Sequence, residues 1–363
     1  MPDSEADDCA KVCALCGKSS PLVADYLGLC LACIRERPEE ALAVAARSHA
    51  RARRLFGLPQ QPPRSQEGIQ CGLCAQNCVI GEGQRGYCGL REAHEGRLRH
   101  LAGTPDRGLL HWYRDPLPTN CVADPFCGGH SQRGRHNLAV FYASCTVDCL
   151  YCQNWHFREA DPRLSETTSA AELAAAANSD THCVCFFGGD PASQMPHALA
   201  ASRRLVERGI AICWETNGTA DRGLMDQALE ISLSTGGCVK FDLKACDNNL
   251  HRVLTGASNR RTLGNLARAA ARFGERPERP LVVASTLLVP GYVDVEEVSR
   301  IAAFIAGLDP LLPLVLLGFA PSFLMPDLPR TSLRHAEEAQ AAALAAGLRD
   351  VRLGNRHLLS REY

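Results

Sequence analysis

The chain is predicted to be an α/β protein whose parallel strands curl into an open, partial TIM-like barrel. Three observations predict it. From Asn137 onward, short and nearly continuous apolar segments recur at intervals of about 28 to 45 residues, as expected of strands buried on both faces. Stretches with helical spacing of apolar residues separate them, which is the pattern of βα units and a parallel sheet. The residues with the most chemical character fall just after the predicted strands, where a barrel of this kind places its reactive groups.

In chain order, strands are expected at Leu138–Ala143, Cys183–Phe187, Ala211–Trp214, Val239–Leu243, Leu281–Val289 and Leu314–Phe319. Helices are expected near Ala170–Ala177, Pro196–Arg208, Leu224–Ile231, Leu263–Phe273, Val295–Ala306 and Leu333–Ala346. Six βα units result, and a seventh short strand near Val351–Leu353 is placed to close the edge.

The part before the barrel divides by composition. Residues 1–37 carry Cys13-x2-Cys16 and, after a gap of thirteen residues, Cys30-x2-Cys33. Two such knuckles match the four-thiolate zinc sites of ribbon-like modules, which draw most of their folding energy from the metal. An iron site is the alternative, and Cys9 is left over. Residues 38–68 hold a helix rich in alanine and arginine, Glu39–Phe56, and a linker rich in Pro and Gln. The run Arg51, Arg53 and Arg54 is expected on a solvated face. Residues 69–136 bring a second set, Cys71-x2-Cys74-x3-Cys78-x9-Cys88, among glycines that permit tight turns. Zinc and an auxiliary iron–sulfur cluster both take four cysteines, so the spacing leaves the metal open. Cys121 and Cys127 are candidates to complete that centre or add another.

Composition excludes several classes. The net charge of −1 gives no general attraction to nucleic acid or anionic lipid. Nineteen cysteines in a chain of 363 residues without a basic and apolar leader fit a reducing cytoplasm better than a secreted disulfide scaffold. The longest apolar stretch, Leu311–Met325, is broken by Pro313 and Pro321 and falls short of the roughly 20 residues of a membrane span. Cys183, Cys185, Cys213, Cys238 and Cys246 sit in or beside apolar strands, where a free cysteine is expected to pack as a small hydrophobe.

The most informative segment follows the first barrel strand: Cys145-Thr-Val-Asp-Cys149-Leu-Tyr151-Cys152. A 4Fe–4S cluster normally takes four thiolates, so a loop offering three leaves one iron free for another ligand. Half of a zinc site is the alternative reading of the spacing. Phe186-Phe187-Gly188-Gly189-Asp190 ends the second strand, Trp214-Glu215-Thr216-Asn217-Gly218 the third and Lys240-Phe241-Asp242-Leu243-Lys244 the fourth. Acids and amines ending neighbouring buried strands are costly unless paired or ligand-bound, so they predict a polar pocket, or else an ion pair closing the barrel mouth.

Together these motifs resemble the radical S-adenosylmethionine (radical SAM) superfamily. The continuation through Asp247–Asn259 and Thr286–Asp294 is similar to its glycyl-radical-enzyme-activating branch, typified by pyruvate formate-lyase activases. The stretch from Cys71 to Arg91, Cys152-Gln-Asn-Trp155 and the closing Val351–Leu359 resemble the activase-related AmmeMemoRadiSam family. The resemblance runs from about Cys71 to the end and implies a radical SAM partial barrel in which Cys145, Cys149 and Cys152 ligate a 4Fe–4S cluster. An electron from that cluster cleaves SAM to a 5′-deoxyadenosyl radical. By the same resemblance Tyr151 lies near the adenine, and Gly188, Gly189 and Asp190 hold the methionine amine. Glu215, Thr216 and Asp242 line a monovalent-cation site beside the SAM carboxylate; Asn217 and Lys244 complete the cofactor-facing set. The family also implies an electron donor such as a flavodoxin, a ferredoxin or a dedicated reductase. A protein substrate is the first expectation, a small molecule or RNA the second, and a non-enzymatic metal-binding adaptor the third. Two departures bear on substrate: Ala320 stands where related chains carry histidine, and Val293 where asparagine is common.

Overall fold

The computed structural model describes residues 11–119 and 121–361, so Cys9 lies outside the described residues. Among the strands, two short antiparallel pairs come first, β1 (Ile69–Gln70) with β2 (Val79–Ile80) and β3 (Arg91–His94) with β4 (Arg97–His100). One eight-stranded sheet follows, made of β5 (Leu110–Pro116), β6 (His136–Tyr142), β7 (Thr181–Gly188), β8 (Ala211–Thr216), β9 (Val239–Asp242), β10 (Val282–Leu288), β11 (Leu314–Gly318) and β12 (Val351–Gly354). Its spatial order is its chain order, β5 through β12, and β6 to β12 run parallel. That arrangement is the α/β partial barrel expected from the sequence, and each of the parallel strands lies where the apolar periodicity put it.

The helices bury the sheet's outer face because their apolar residues recur at three- and four-residue intervals. In α4 (Met195–Val206), for example, Met195, Ala198, Leu199, Ala201 and Leu205 are buried. Local chemistry sets the helix ends. Ser169 and Glu172 form a reciprocal capping box on α3 (Ala170–Ala175), and Asp221 caps α5 (Arg222–Thr235), which stops at left-handed Gly236. The helix α6 (Asn248–Thr255), not foreseen as such, is capped by Asp247 and closed by left-handed Gly256. Further on, α7 (Arg260–Ala270), α8 (Val295–Leu308) and α9 (Leu333–Ala345) complete the outer layer.

Strand β5 was not foreseen either. It pairs antiparallel with β6 along its whole length, from Leu110 opposite Tyr142 to Pro116 opposite His136, and leaves most of its side chains half or fully exposed. It covers the free edge of β6 without contributing an apolar face, so no burial pattern marks it.

The amino-terminal segments dock on the barrel. The first helices, α1 (Leu31–Glu36) and α2 (Pro38–Arg54), pack against α6, and Leu27, Leu29, Ile34 and Ala45 share one apolar core with the barrel strands. Tyr292 accepts from the Ala24 amide at 3.0 Å and donates to the Leu29 carbonyl at 2.9 Å, while Arg35 grips Asp294 with two bonds of 2.8 and 2.9 Å. Gly291 is required at this junction: its φ is +79°, and a Cβ there would lie 2.2 Å from the Leu22 carbonyl oxygen. Among the described residues, no helix is long and apolar enough to cross a membrane.

Candidate active site

The loop after β6 carries the three-cysteine motif. Its shape is set by Asp148, which is fully buried and held by His49 at 2.9 Å and Arg53 at 3.4 Å, both from α2, and by Arg158 just beyond the loop. Burial opposes ionisation of this carboxyl, but the positive charge of Arg158 and the contacts from His49 and Arg53 win and hold it well below the usual carboxylate range. The loop backbone is further tied to the end of α6, with Asp148 donating to Thr255 at 2.8 Å and Leu150 to Leu254 at 3.2 Å. Arg53 is therefore a correction to the sequence reading. It is not on a solvated face but buried, with its guanidinium 3.5 Å from the centre of the Tyr87 ring and its Nε bonded to the Pro59 carbonyl at 2.6 Å.

One cleft at the C-terminal mouth of the barrel is lined by Cys145, Cys149, Cys152, Tyr151, Gly188, Gly189, Asp190, Glu215, Thr216, Asn217, Asp242 and Lys244. All twelve residues expected around cluster and cofactor thus face a common space. Burial pushes the three thiols up, Cys149 to about 12 even with Lys244 nearby, so a metal must displace their protons to bind.

The paired glycines bring two loops together. A Cβ on Gly189 would lie 2.1 Å from the Ser144 carbonyl oxygen, and one on Gly188, at φ +104°, would lie 2.6 Å from the Tyr142 amide nitrogen. The glycines let β7 end against the start of the cysteine loop, with Gly189 donating to Tyr142 and Asp190 to Ser144, both at 2.8 Å. The Asp190 side chain braces the next strand end. It accepts from the Ala192 amide at 2.7 Å, the Thr216 hydroxyl at 3.0 Å and the Asn217 amide at 2.5 Å. Burial raises this carboxyl to about 6 against those bonds. Asn217 passes the bracing on, donating to the Thr146 hydroxyl at 3.0 Å and to Cys145 Sγ at 3.7 Å.

Charge in the cleft is paired along the strands. Lys240 lies 2.8 Å from Glu215, and Lys244 2.6 Å from Asp242. Burial alone would lower both ammonium groups, yet Glu215 beside Lys240 and Asp242 beside Lys244 raise them. One oxygen of Asp242, Oδ1, is buried and has no hydrogen-bond partner among the described residues, and the Tyr151 hydroxyl is in the same condition. A buried orphan acceptor is costly. Its position beside a cationic amine and three convergent thiols suits a polar ligand carrying both donors and acceptors, so the residues present fit a three-thiolate cluster with SAM against it.

Lys240 as the partner of Glu215, and Asn355, which lines the cleft with φ +50° in the closing motif, were not picked out from the sequence. Nor was Asp148, whose only mark is its place as an acid between two cysteines. Of the departures noted, Val293 is fully buried and Ala320 lies just beyond β11.

The other cysteine sets fall at separate places. The sulfurs of Cys13, Cys16, Cys30 and Cys33 all lie within 4.8 Å of one another, tight enough for a single metal ion. Burial alone would raise the Cys13 thiol, but N–H groups of Cys30, Leu15 and Cys16 bring it down to about 6. Cys71, Cys74, Cys78 and Cys88 line one small pocket under Arg91, whose guanidinium reaches Cys88 Sγ at 3.4 Å. This second set abuts the active cleft, because the Cys88 carbonyl accepts from Ser144 and Gln76 donates to the Thr146 carbonyl. Cys121 and Cys127 do not join it and lie inside the barrel instead.

The fold and cleft define a class in which an iron–sulfur cluster and SAM work together, and the radical SAM superfamily model matches residues 139–305. The chain belongs to that superfamily and is a radical SAM enzyme. It is 25% identical over 306 residues to an uncharacterized protein of Methanocaldococcus jannaschii, covering 79% of this chain and 81% of that one. It is 37% identical over 116 residues to the isethionate sulfite-lyase activating enzyme of Oleidesulfovibrio alaskensis, covering 32% of this chain and 35% of that one. With the pyruvate formate-lyase 1-activating enzyme of Escherichia coli, identity is 27% over 136 residues, 34% of this chain and 52% of that one. The chain spans about a third to a half of the length of these activating enzymes.

Proposed function

We propose that the chain is an activase-like radical SAM enzyme that takes a hydrogen atom from a protein substrate. The observation that carries this reading is the convergence of three loop thiols and the orphan acceptor of Asp242 on one cleft. Cys145, Cys149 and Cys152 would hold a 4Fe–4S cluster, leaving the fourth iron to SAM. When bound and reduced, that cluster supplies one electron to cleave SAM to methionine and a 5′-deoxyadenosyl radical.

The chain's own residues do the positioning. Lys244, fixed by Asp242, would hold the carboxylate of SAM by its charge, and the free Asp242 oxygen would accept a hydrogen bond from the ligand. Tyr151, which lines the cleft, would offer a buried aromatic face to the adenine. Asp190, through Thr216 and Asn217, fixes the strand end against the cysteine loop. The apolar residues Leu287, Leu317 and Phe187 on the cleft wall exclude water from the reacting atoms. An electron carrier such as a flavodoxin or ferredoxin would reduce the cluster. A protein substrate is supported by the names of the two activating enzymes, each of which describes action on another enzyme. The four-cysteine knuckle would hold zinc, whose tetrahedral shell four thiolates complete.

The test is anaerobic reconstitution followed by SAM and a reductant. 5′-Deoxyadenosine should form, and Cys145→Ala, Cys149→Ala or Cys152→Ala should abolish it. Full turnover in the triple variant would sink the assignment. The protein fraction of cells grown on deuterated amino acids should pass deuterium into 5′-deoxyadenosine; label arriving only from the small-molecule fraction would exclude the protein substrate.

A further inference from the structure

Six cysteines that are far apart in sequence meet inside the barrel. Cys183 and Cys185 lie two apart on β7, and Cys185 is in register with Cys213 on β8. The carbonyl of Cys238, just before β9, accepts from the Trp214 amide at 2.9 Å, which sets Cys238 beside Cys213. The irregular segment between β5 and β6 brings the other two. A Cβ on its Gly129 would lie 3.4 Å from Cys127 Sγ and 3.8 Å from Cys183 Sγ, so both sulfurs flank one glycine. Cys121 reaches from the same segment to Glu215, its Sγ 3.1 Å from Oε1. All six line a single small cavity and all are free thiols.

Packing does not account for this composition. The interior layers of such a barrel are ordinarily filled by branched Val, Ile and Leu. On β10 and β11 that is what is found: Val283, Val315 and Leu317 pack in one apolar cluster with Cys185, Cys213 and Cys238. Strands β7 and β8 and the residue just before β9 contribute sulfur instead, beside the sulfur of the inserted segment.

We propose that these cysteines hold a second iron–sulfur cluster within the barrel, separated from the SAM-facing cleft by the Glu215–Lys240 pair. Thiolates in an apolar, enclosed setting are the ligands such clusters take. A single zinc ion fits less well, because it draws four sulfurs tightly around one atom and these six are not gathered so closely. The knuckle shows the contrast: its four sulfurs close to within 4.8 Å of one another, a compactness that no other group of cysteines among the described residues reaches. A cluster several atoms wide spans a looser set. The ligands are distinct from Cys145, Cys149 and Cys152, so this centre does not depend on the function proposed above.

The test uses the full chain carrying Cys145→Ala, Cys149→Ala and Cys152→Ala, which removes the first cluster. After anaerobic reconstitution, iron and acid-labile sulfide are counted with and without added Cys185→Ala and Cys213→Ala. The added substitutions should remove about two to four irons per chain, the content of one 2Fe–2S or 4Fe–4S centre. The Cys71 set is present in both proteins and cancels, and unchanged metal at the Cys13 knuckle reports an intact fold. Equal iron in both proteins would overturn the proposal. Should the variant not fold, anomalous scattering at the iron edge from crystals of the reconstituted, unsubstituted protein decides. Iron density among the six sulfurs supports the site; zinc there, or density at the Cys145 loop alone, overturns it.

Discussion

Replacing Asp148 by asparagine should weaken the whole cysteine loop, although Asp148 touches neither cluster nor substrate. Its carboxylate compensates two buried guanidinium groups, Arg158 and Arg53, whose side chains are 1% and 2% exposed. The amide would keep the shape and remove the charge, leaving both cations uncompensated. Breaking one side of a buried pair costs about 3–5 kcal/mol. Unfolding entropy of about 2.1 cal/mol/K per residue gives roughly 0.8 kcal/mol/K for a chain of this length, so Tm should fall by about 4–7 °C. Circular dichroism melts of the apoprotein measure this directly. Adding Arg158→Met to Asp148→Asn should recover part of the loss, because one orphan charge disappears with its partner. A Tm change under about 1 °C, or a double variant as unstable as the two losses added together, would refute the reasoning.

Four further outcomes follow from the same geometry. Asp242→Asn and Lys244→Met should each weaken SAM binding by roughly ten- to a hundredfold, the equivalent of one charge-assisted hydrogen bond, with the cluster spectrum before SAM addition unchanged; normal SAM affinity with a large fall in Tm would assign both residues to the scaffold. Lys240 already neutralises Glu215, so SAM cleavage should be indifferent to replacing potassium by tetramethylammonium, while Lys240→Met should create a dependence on a small monovalent cation; equal cation dependence in both proteins would count against this. Full-length protein should carry about one zinc per chain at the knuckle and lose it on Cys16→Ser, and unchanged zinc content would mean that the ligand set is wrong. Burial lowers His197 to about 4, where its ring bonds Tyr142 and the Thr168 carbonyl, against an unfolded value near 6.5. The neutral ring is favoured in the fold, so this stability is complete above pH 6.5 and is lost as pH falls toward 4, by about 3 kcal/mol at most. A His197→Gln variant should show a shallower fall of Tm between pH 7 and 5, and identical slopes would exclude the mechanism.

What could be read from the sequence was whatever depends on short-range spacing. The barrel strands announced themselves because each is buried on both faces and must be apolar throughout, as Leu314–Gly318 is. The three-cysteine loop and the two four-cysteine sets were legible because their ligands come from neighbouring turns. Strand β5 was hidden by the opposite circumstance, since hydrogen bonds to β6 hold it in place while its side chains face solvent. The burial of Arg53 is hidden for a related reason: in α2 it resembles its exposed neighbour Arg54, and only the tertiary position of Asp148 separates them.

The barrel cysteines show where reading along the chain reaches its limit. Taken one at a time, Cys183, Cys185, Cys213 and Cys238 are small residues in apolar strands, and nothing local distinguishes a packing thiol from a ligand. Parallel register is what turns them into a group. Because side chains alternate across a strand, Cys185 and Cys213 in register place their sulfurs on the same face as Phe187 and Glu215 above them, which already line the cleft. Cys183 and Cys238 then fall on that face as well, and the insertion of Cys121 and Cys127 from outside the strand pattern supplies the wall that the open barrel lacks. The same rule explains the pairing of Glu215 with Lys240, which are register partners on β8 and β9. Acid and amine are thus one strand apart and point into the same interior, with SAM-facing residues on one side of the pair and thiols on the other. A substitution at either position should therefore be felt in both compartments, and the iron content of the inner one is the measurement that separates a shared wall from a passive filler.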